Sequence, residues 1–288
     1  MRDDAASVER SAFVGARRPA RVKKGAIIGA LIVSIWILIA LVGSLISPHD
    51  VGEVVDNDVY GGFSRTFPLG TDYLGRDVLS RIIYGARYTI GIAVAATVIA
   101  VFIGGALGML AAVSNRFIDA LLSRSFDALI SIPSLMFGLV AVAALGSSIP
   151  VLIGTAAIIY APGAFRIWRS LAVNINAMDY VTVARARGEG VAHLVREEIL
   201  PNLIRPVLTD FGLRFVFAVL LLSGLSFLGL GIQPPDADWG SLVRENITGL
   251  SEGAPAPVIA AAAIASLTIG VNLIVDNLPG RRMALESR

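Results

Sequence analysis

No cysteine occurs in the 288-residue sequence, which excludes disulfides and thiolate metal sites. Lysine is nearly absent. Lys23 and Lys24 follow no G-x-x-x-x-G stretch, so the chain has no P-loop to cradle nucleotide phosphates. Histidine is limited to His49 and His193, and neither H-E-x-x-H nor G-x-S-x-G is present. No catalytic residue and no metal site are therefore expected. Charge is scarce as well: 16% of residues are charged against 55% hydrophobic, with a mean hydropathy of +0.74. That balance is too apolar for a soluble domain and fits an all-α polytopic membrane protein. No nucleic-acid partner is expected. The net charge of +2 says little; its distribution says more.

Taken in order, residues 1–24 form a basic tail carrying Arg17, Arg18, Arg21, Lys23 and Lys24. Residues 25–47 read as the first transmembrane helix, long enough at 1.5 Å per residue to cross roughly 30 Å of hydrocarbon. Residues 48–87 form a loop, acidic at first. Its second half sets Leu79, Ile82 and Ile83 beside Arg76, Arg81 and Arg87, the pattern of a helix lying at the membrane surface. A five-helix core at 88–282 follows, with spans near 88–113, 121–145, 149–165, 211–230 and 257–275, and a tail at 283–288. Ala100, Gly104 and Gly108 give the second span small-xxx-small spacing for close helix packing. Asp127 and Pro133 interrupt the third, and Arg124, three residues earlier, is the expected partner of Asp127. Pro234 and Pro235 are expected to stop the fifth, and Trp239 to sit at a membrane interface. Arginines concentrate at 17–21, 116, 166–205 and 281–288, so the positive-inside rule puts both termini and the 170–208 loop in the cytoplasm.

Within that loop, residues 179–202 read as two short helices joined at Gly188 and Gly190. Asp179 is the expected N-cap of the first. Val191, Leu194, Val195 and Ile199 mark one apolar face of the second, and Pro201 is expected to close it. An apolar face standing in water between spans needs another surface, so docking is the expected role.

The same stretch resembles the E-A-A-x-x-x-G-(x9)-I-x-L-P coupling loop of importer-type ABC permeases. Gly188, Leu200 and Pro201 match at the family's spacing, and Tyr180, Val181, Ala184, Arg185, Ile199 and Asn202 resemble its peptide-importer branch. Thr182 and Val183 stand where the family has glutamate and alanine, and Glu198 takes the isoleucine position, with Ile199 one residue later. Two further strings, 69–87 and 222–242, resemble the dipeptide, oligopeptide and nickel permeases more specifically. The resemblance implies a six-span type I importer permease in a bacterial or archaeal cytoplasmic membrane, surrounded by lipid. It also implies a second permease subunit, two ATPase subunits that use ATP and Mg²⁺, and an extracytoplasmic substrate-binding protein. Asp179, Tyr180, Thr182, Ala184, Arg185, Gly188, Leu194, Ile199, Leu200 and Pro201 would carry the ATPase contact. Peptides are the expected cargo, with nickel or glutathione as alternatives. Two other classes compete: an intramembrane enzyme, which lacks a nucleophile–base pair, and an ion-coupled carrier, for which Asp127 alone is weak support.

Overall fold

The computed structural model describes residues 24–190 and 193–278. The tail at 1–23, Val191, Arg281, Arg282 and the tail at 283–288 lie outside the described residues. The chain is helical. Among the described residues, five helices are long and apolar enough to cross a membrane, and a sixth crossing is formed if one bent pair counts as a single span.

Helix α1, Lys24–Ile46, is the first span. Helix α2 runs unbroken over Val78–Val113, 36 residues. The expected surface helix before the second span is therefore part of that span. The reason is local and electrostatic. Asp77 caps the helix, accepting from the N–H groups of Leu79 and Ser80 at 3.2 and 3.1 Å, and no proline follows. Arg81, expected beside the apolar stripe of a helix lying at the membrane surface, is instead 1% exposed and neutralised by buried carboxylates.

The third crossing breaks where Pro133 predicts. Helices α3, Arg116–Ile130, and α4, Ser134–Leu145, meet at 85°, and a cavity of about 240 Å³ lined by Ile132, Pro133, Phe137 and Tyr160 opens in the bend. Helix α5, Ile149–Asn176, continues well past the expected end at residue 165. Short helix α6, Asp179–Ala186, and a π-turn, Leu194–Ile199, lead into α7, Leu200–Phe227. Pro201 does not close a helix; the helical path continues through it, from the π-turn into the first turn of α7. The other end of α7 stops at Gly229, φ +88°, ahead of the prolines expected to stop it. Helix α8, Trp239–Asn246, a 3₁₀ turn, Ile247–Glu252, and helix α9, Ala256–Asn277, complete the chain.

Helix α2 makes its broadest contact with α5. Gly104 and Gly108 form the seam as their spacing suggests: a Cβ on Gly104 would lie 2.4 Å from the Ala161 carbonyl, and one on Gly108 2.7 Å from that of Phe165. Helix α1 packs on α9, where a Cβ on Gly29 would lie 2.5 Å from the Gly270 carbonyl. Gly25 lies against Asn277, so the described chain starts and stops at the same end of the bundle.

At the opposite end, the two strings 69–87 and 222–242 meet. Arg76 and Arg81 share Asp72 and Glu245, with N–O distances of 2.6–2.9 Å. Trp239 is fully buried, donating from its ring to the Ile82 carbonyl at 3.0 Å and standing edge-on to Trp36, with ring centroids 4.6 Å apart. It is a core residue, not an interfacial anchor. Asp238 caps α8 from a buried position; burial pushes its carboxyl above the usual range, opposed by hydrogen bonds from Ser226, Ser241 and Ile232. Two glycines make this closure possible. Gly70 and Gly75 hold φ of +76° and +74°, and a Cβ there would lie 2.3 and 2.1 Å from the carbonyls of Gly61 and Asp56.

Candidate functional site

The hairpin between α5 and α7 lies at the end of the bundle away from this cap. Helix α6 begins after Met178, whose extended backbone makes it the N-cap; Asp179 is the first helical residue and makes no capping bond. Its charge lies in the first turn, at the positive end of the helix dipole. The Thr182 hydroxyl donates to the Met178 carbonyl at 3.3 Å, so no capping box forms. The far end closes as a Schellman motif: Gly188 N–H donates to the Arg185 carbonyl at 3.0 Å, and Glu189 N–H to that of Ala184 at 3.3 Å. This geometry needs the left-handed backbone of Gly188, φ +84°, and the space around its Cα is open. Gly188 is the turn that the spacing pointed to.

The apolar face behaves differently from expectation. Leu194 packs with Val181, Ala184 and Ile175, and Ile199 packs with Leu203, Trp168, Ala172 and Val101. Val181, Ala184, Ile199 and Leu203 are all fully buried within the chain itself. The surface that the greasy face requires is therefore α5 and α2, and burying it fixes the hairpin to two spans. Polar ties add to this. Arg185 donates to Asn176 Oδ1 at 2.8 Å, Asn176 to the Ala112 carbonyl at 3.3 Å, and Asn202 to the Tyr180 hydroxyl at 3.3 Å. What remains outward is Met178, Tyr180 and Val183, 50%, 43% and 55% exposed, beside Asp179, Arg187, Leu200 and Pro201. Of the ten hairpin residues singled out by sequence, Ala184, Leu194 and Ile199 thus hold its shape, while Asp179, Tyr180, Thr182, Arg185, Gly188, Leu200 and Pro201 are on its surface. The roles of Trp168, Leu203 and Asn176 had no signal in the sequence pattern, because each contact joins distant segments.

The acid of the third crossing pairs across helices. Asp127 accepts from Arg166 Nε and Nη2 at 3.1 and 2.6 Å; Arg124 is not its partner. Arg166 stands on α5 beside α3, and both of its contacting nitrogens donate to the one oxygen, Asp127 Oδ1. Asp119 and Arg169 repeat this pairing nearer the hairpin, at 2.5 and 2.6 Å. Asp127 and Arg166 are both more than half exposed in the chain by itself, so the acid is a satisfied ion pair and not an isolated buried proton carrier.

Comparison with known proteins agrees with this architecture. The model of the family described as binding-protein-dependent transport system inner membrane component matches residues 104–282. A dipeptide transport system permease protein of Alkalihalophilus pseudofirmus is 31% identical over 88% of this chain and 84% of its own. A di/tripeptide transport system permease protein of Pseudomonas aeruginosa is 35% identical over 76% of this chain and 75% of its own. A glutathione transport system permease protein of Pectobacterium atrosepticum is 28% identical over 88% and 84%. A chain of apolar crossings with a polar hairpin seated on two of them, matched over more than half its length by one family, is a transporter membrane subunit rather than an enzyme. It belongs to the binding-protein-dependent transport system inner membrane components, the multi-pass permeases of ABC importers.

Proposed function

We propose that this chain is one half of a heterodimeric permease that carries di- or oligopeptides inward by alternating access. Two ATPase subunits, using ATP and Mg²⁺, supply the energy, and a binding protein delivers cargo to the capped end. Both termini and the hairpin are then cytoplasmic. The observation that carries the reading is the hairpin: an outward patch of Met178, Tyr180 and Val183 mounted on side chains locked into α5, α7 and α2. Force applied to that patch passes into these spans through packed side chains. Similarity to the dipeptide and di/tripeptide permeases supports peptide cargo. The glutathione permease, whose cargo is itself a small peptide, supports the same class.

Because the chain has no cysteine, one introduced thiol reports one position. Val183→Cys is expected to cross-link to an ATPase subunit in the assembled importer, whereas Leu45→Cys, at the capped end and 85% exposed, is not. Equal cross-linking from both positions, or none from Val183→Cys, rules out the hairpin contact. Gly188→Val tests the turn. A side chain at φ +84° with nothing in contact costs about 1–2 kcal/mol of backbone strain and no clash. The protein should insert normally while uptake falls by about tenfold as the docking shape loses population. Normal uptake with normal insertion would remove Gly188 from the coupling role.

A further inference from the structure

The π-turn places three ligand-bearing residues together on the hairpin: Glu189, His193 and Glu198, whose donor atoms all lie within 4.8 Å of one another. On a regular α-helix, His193 and Glu198, five residues apart, would point about 140° away from each other. Here the Leu200 N–H donates to the Val195 carbonyl, five residues back, and this wider turn lets side chains five apart share a face. Glu189 comes in from the loop after α6. Its Oε2 is shielded from solvent and lies 2.8 Å from His193 Nε2, but outside hydrogen-bond geometry, so the short distance is a juxtaposition rather than a made bond. Arg187 holds the other oxygen, Oε1, at 3.2 Å, which orients the carboxylate. The Glu198 side chain has no ion-pair partner among the described residues.

We propose that these three side chains form a binding site for one divalent transition-metal cation of the zinc class. One imidazole nitrogen and two carboxylate oxygens, with further positions open to water, suit Zn²⁺, Co²⁺ or Ni²⁺. Mg²⁺ and Ca²⁺ prefer all-oxygen ligands and are disfavoured by the imidazole. Once bound, the cation ties the loop after α6 to the π-turn. Glu198 occupies the position at which this sequence departs from the isoleucine of the coupling-loop pattern, and Ile199 fills the apolar role instead. The departure that removes a methyl-bearing side chain is thus the one that supplies a ligand. The site stands independently of whether the hairpin meets an ATPase.

The test is direct, because the chain has two histidines and no cysteine. The full-length protein, purified without a polyhistidine tag, is titrated with Zn²⁺ by calorimetry and with Co²⁺ by visible absorption. One equivalent should bind in the micromolar range. Affinity should fall by about tenfold or more in His193→Gln and in Glu198→Gln, and be unchanged in His49→Ala. These substitutions keep size or lie on partly exposed side chains, so folding is preserved. Hydrogen exchange over residues 187–200 should slow when Zn²⁺ is added to the unsubstituted protein. No micromolar binding, binding retained by His193→Gln, or binding lost with His49 overturns the proposal.

Discussion

Replacing Arg81 by methionine should lower the stability of the protein by about 3–5 kcal/mol, the usual result of removing one partner from a buried ion pair. Arg81 Nη1 donates to Asp72 Oδ2 at 2.6 Å and to Glu245 Oε2 at 2.8 Å, and the side chains of Arg81, Asp72 and Glu245 are 1%, 1% and 5% exposed. Its loss leaves one uncompensated negative charge in that enclosure, since Arg76 balances only one of the two carboxylates. Packing suffers less, because methionine fills much of the arginine stem. The thermal midpoint in detergent should drop by on the order of 10 °C. Removing the excess charge separates electrostatics from packing. The double variant Arg81→Met, Glu245→Gln restores neutrality and should recover a large part of the loss, giving a positive coupling in the mutant cycle. Additive losses would mean that the four residues act as independent surface groups, contrary to their burial. Because the quartet joins the loop before α2 to α8, uptake should fall in parallel with stability.

The second large effect is steric. Gly104→Val should prevent the protein from accumulating in the membrane, whereas Gly91→Val, on the same helix, should accumulate normally. A Cβ at Gly104 would lie 2.4 Å from the Ala161 carbonyl and 2.7 Å from the Ala164 Cβ; at Gly91 it would meet nothing within 4 Å. Helix α2 would have to move away from α5 along the broadest contact of the fold, losing dispersion contacts over several turns. Overpacking a well-packed site costs about 1–3 kcal/mol when side chains can yield, and here the obstacle is backbone. Protein levels and protease resistance of the two variants decide the matter. Equal levels would show that α2 and α5 can separate freely.

The helix break, the small-residue seam and the Gly188 turn were legible because each rests on a local rule. Pro133 cannot continue a helix, glycines four apart make a groove, and a left-handed position selects glycine. The partner of Asp127 was misread because sequence offers only neighbours at i±3 and i±4, while its partner in the fold, Arg166, is on another helix. Pro201 was misread for the opposite reason. Proline stops a helix from within but starts one readily, and only the path of the chain decides which applies. The arginines at 76 and 81 looked like interfacial anchors because the carboxylates that neutralise them come from residue 72 and from residue 245.

Composition made this chain a multi-span membrane protein, and short strings marked the hairpin and the two segments of the cap. Burial is what composition could not assign. The hairpin's apolar face turns inward onto Trp168 and Ala172, and its outward face is the one carrying Tyr180 and Val183. The sequence specifies that a helix has an apolar side; which surface covers that side depends on contacts between residues tens of positions apart. Those contacts exist only once the spans have packed.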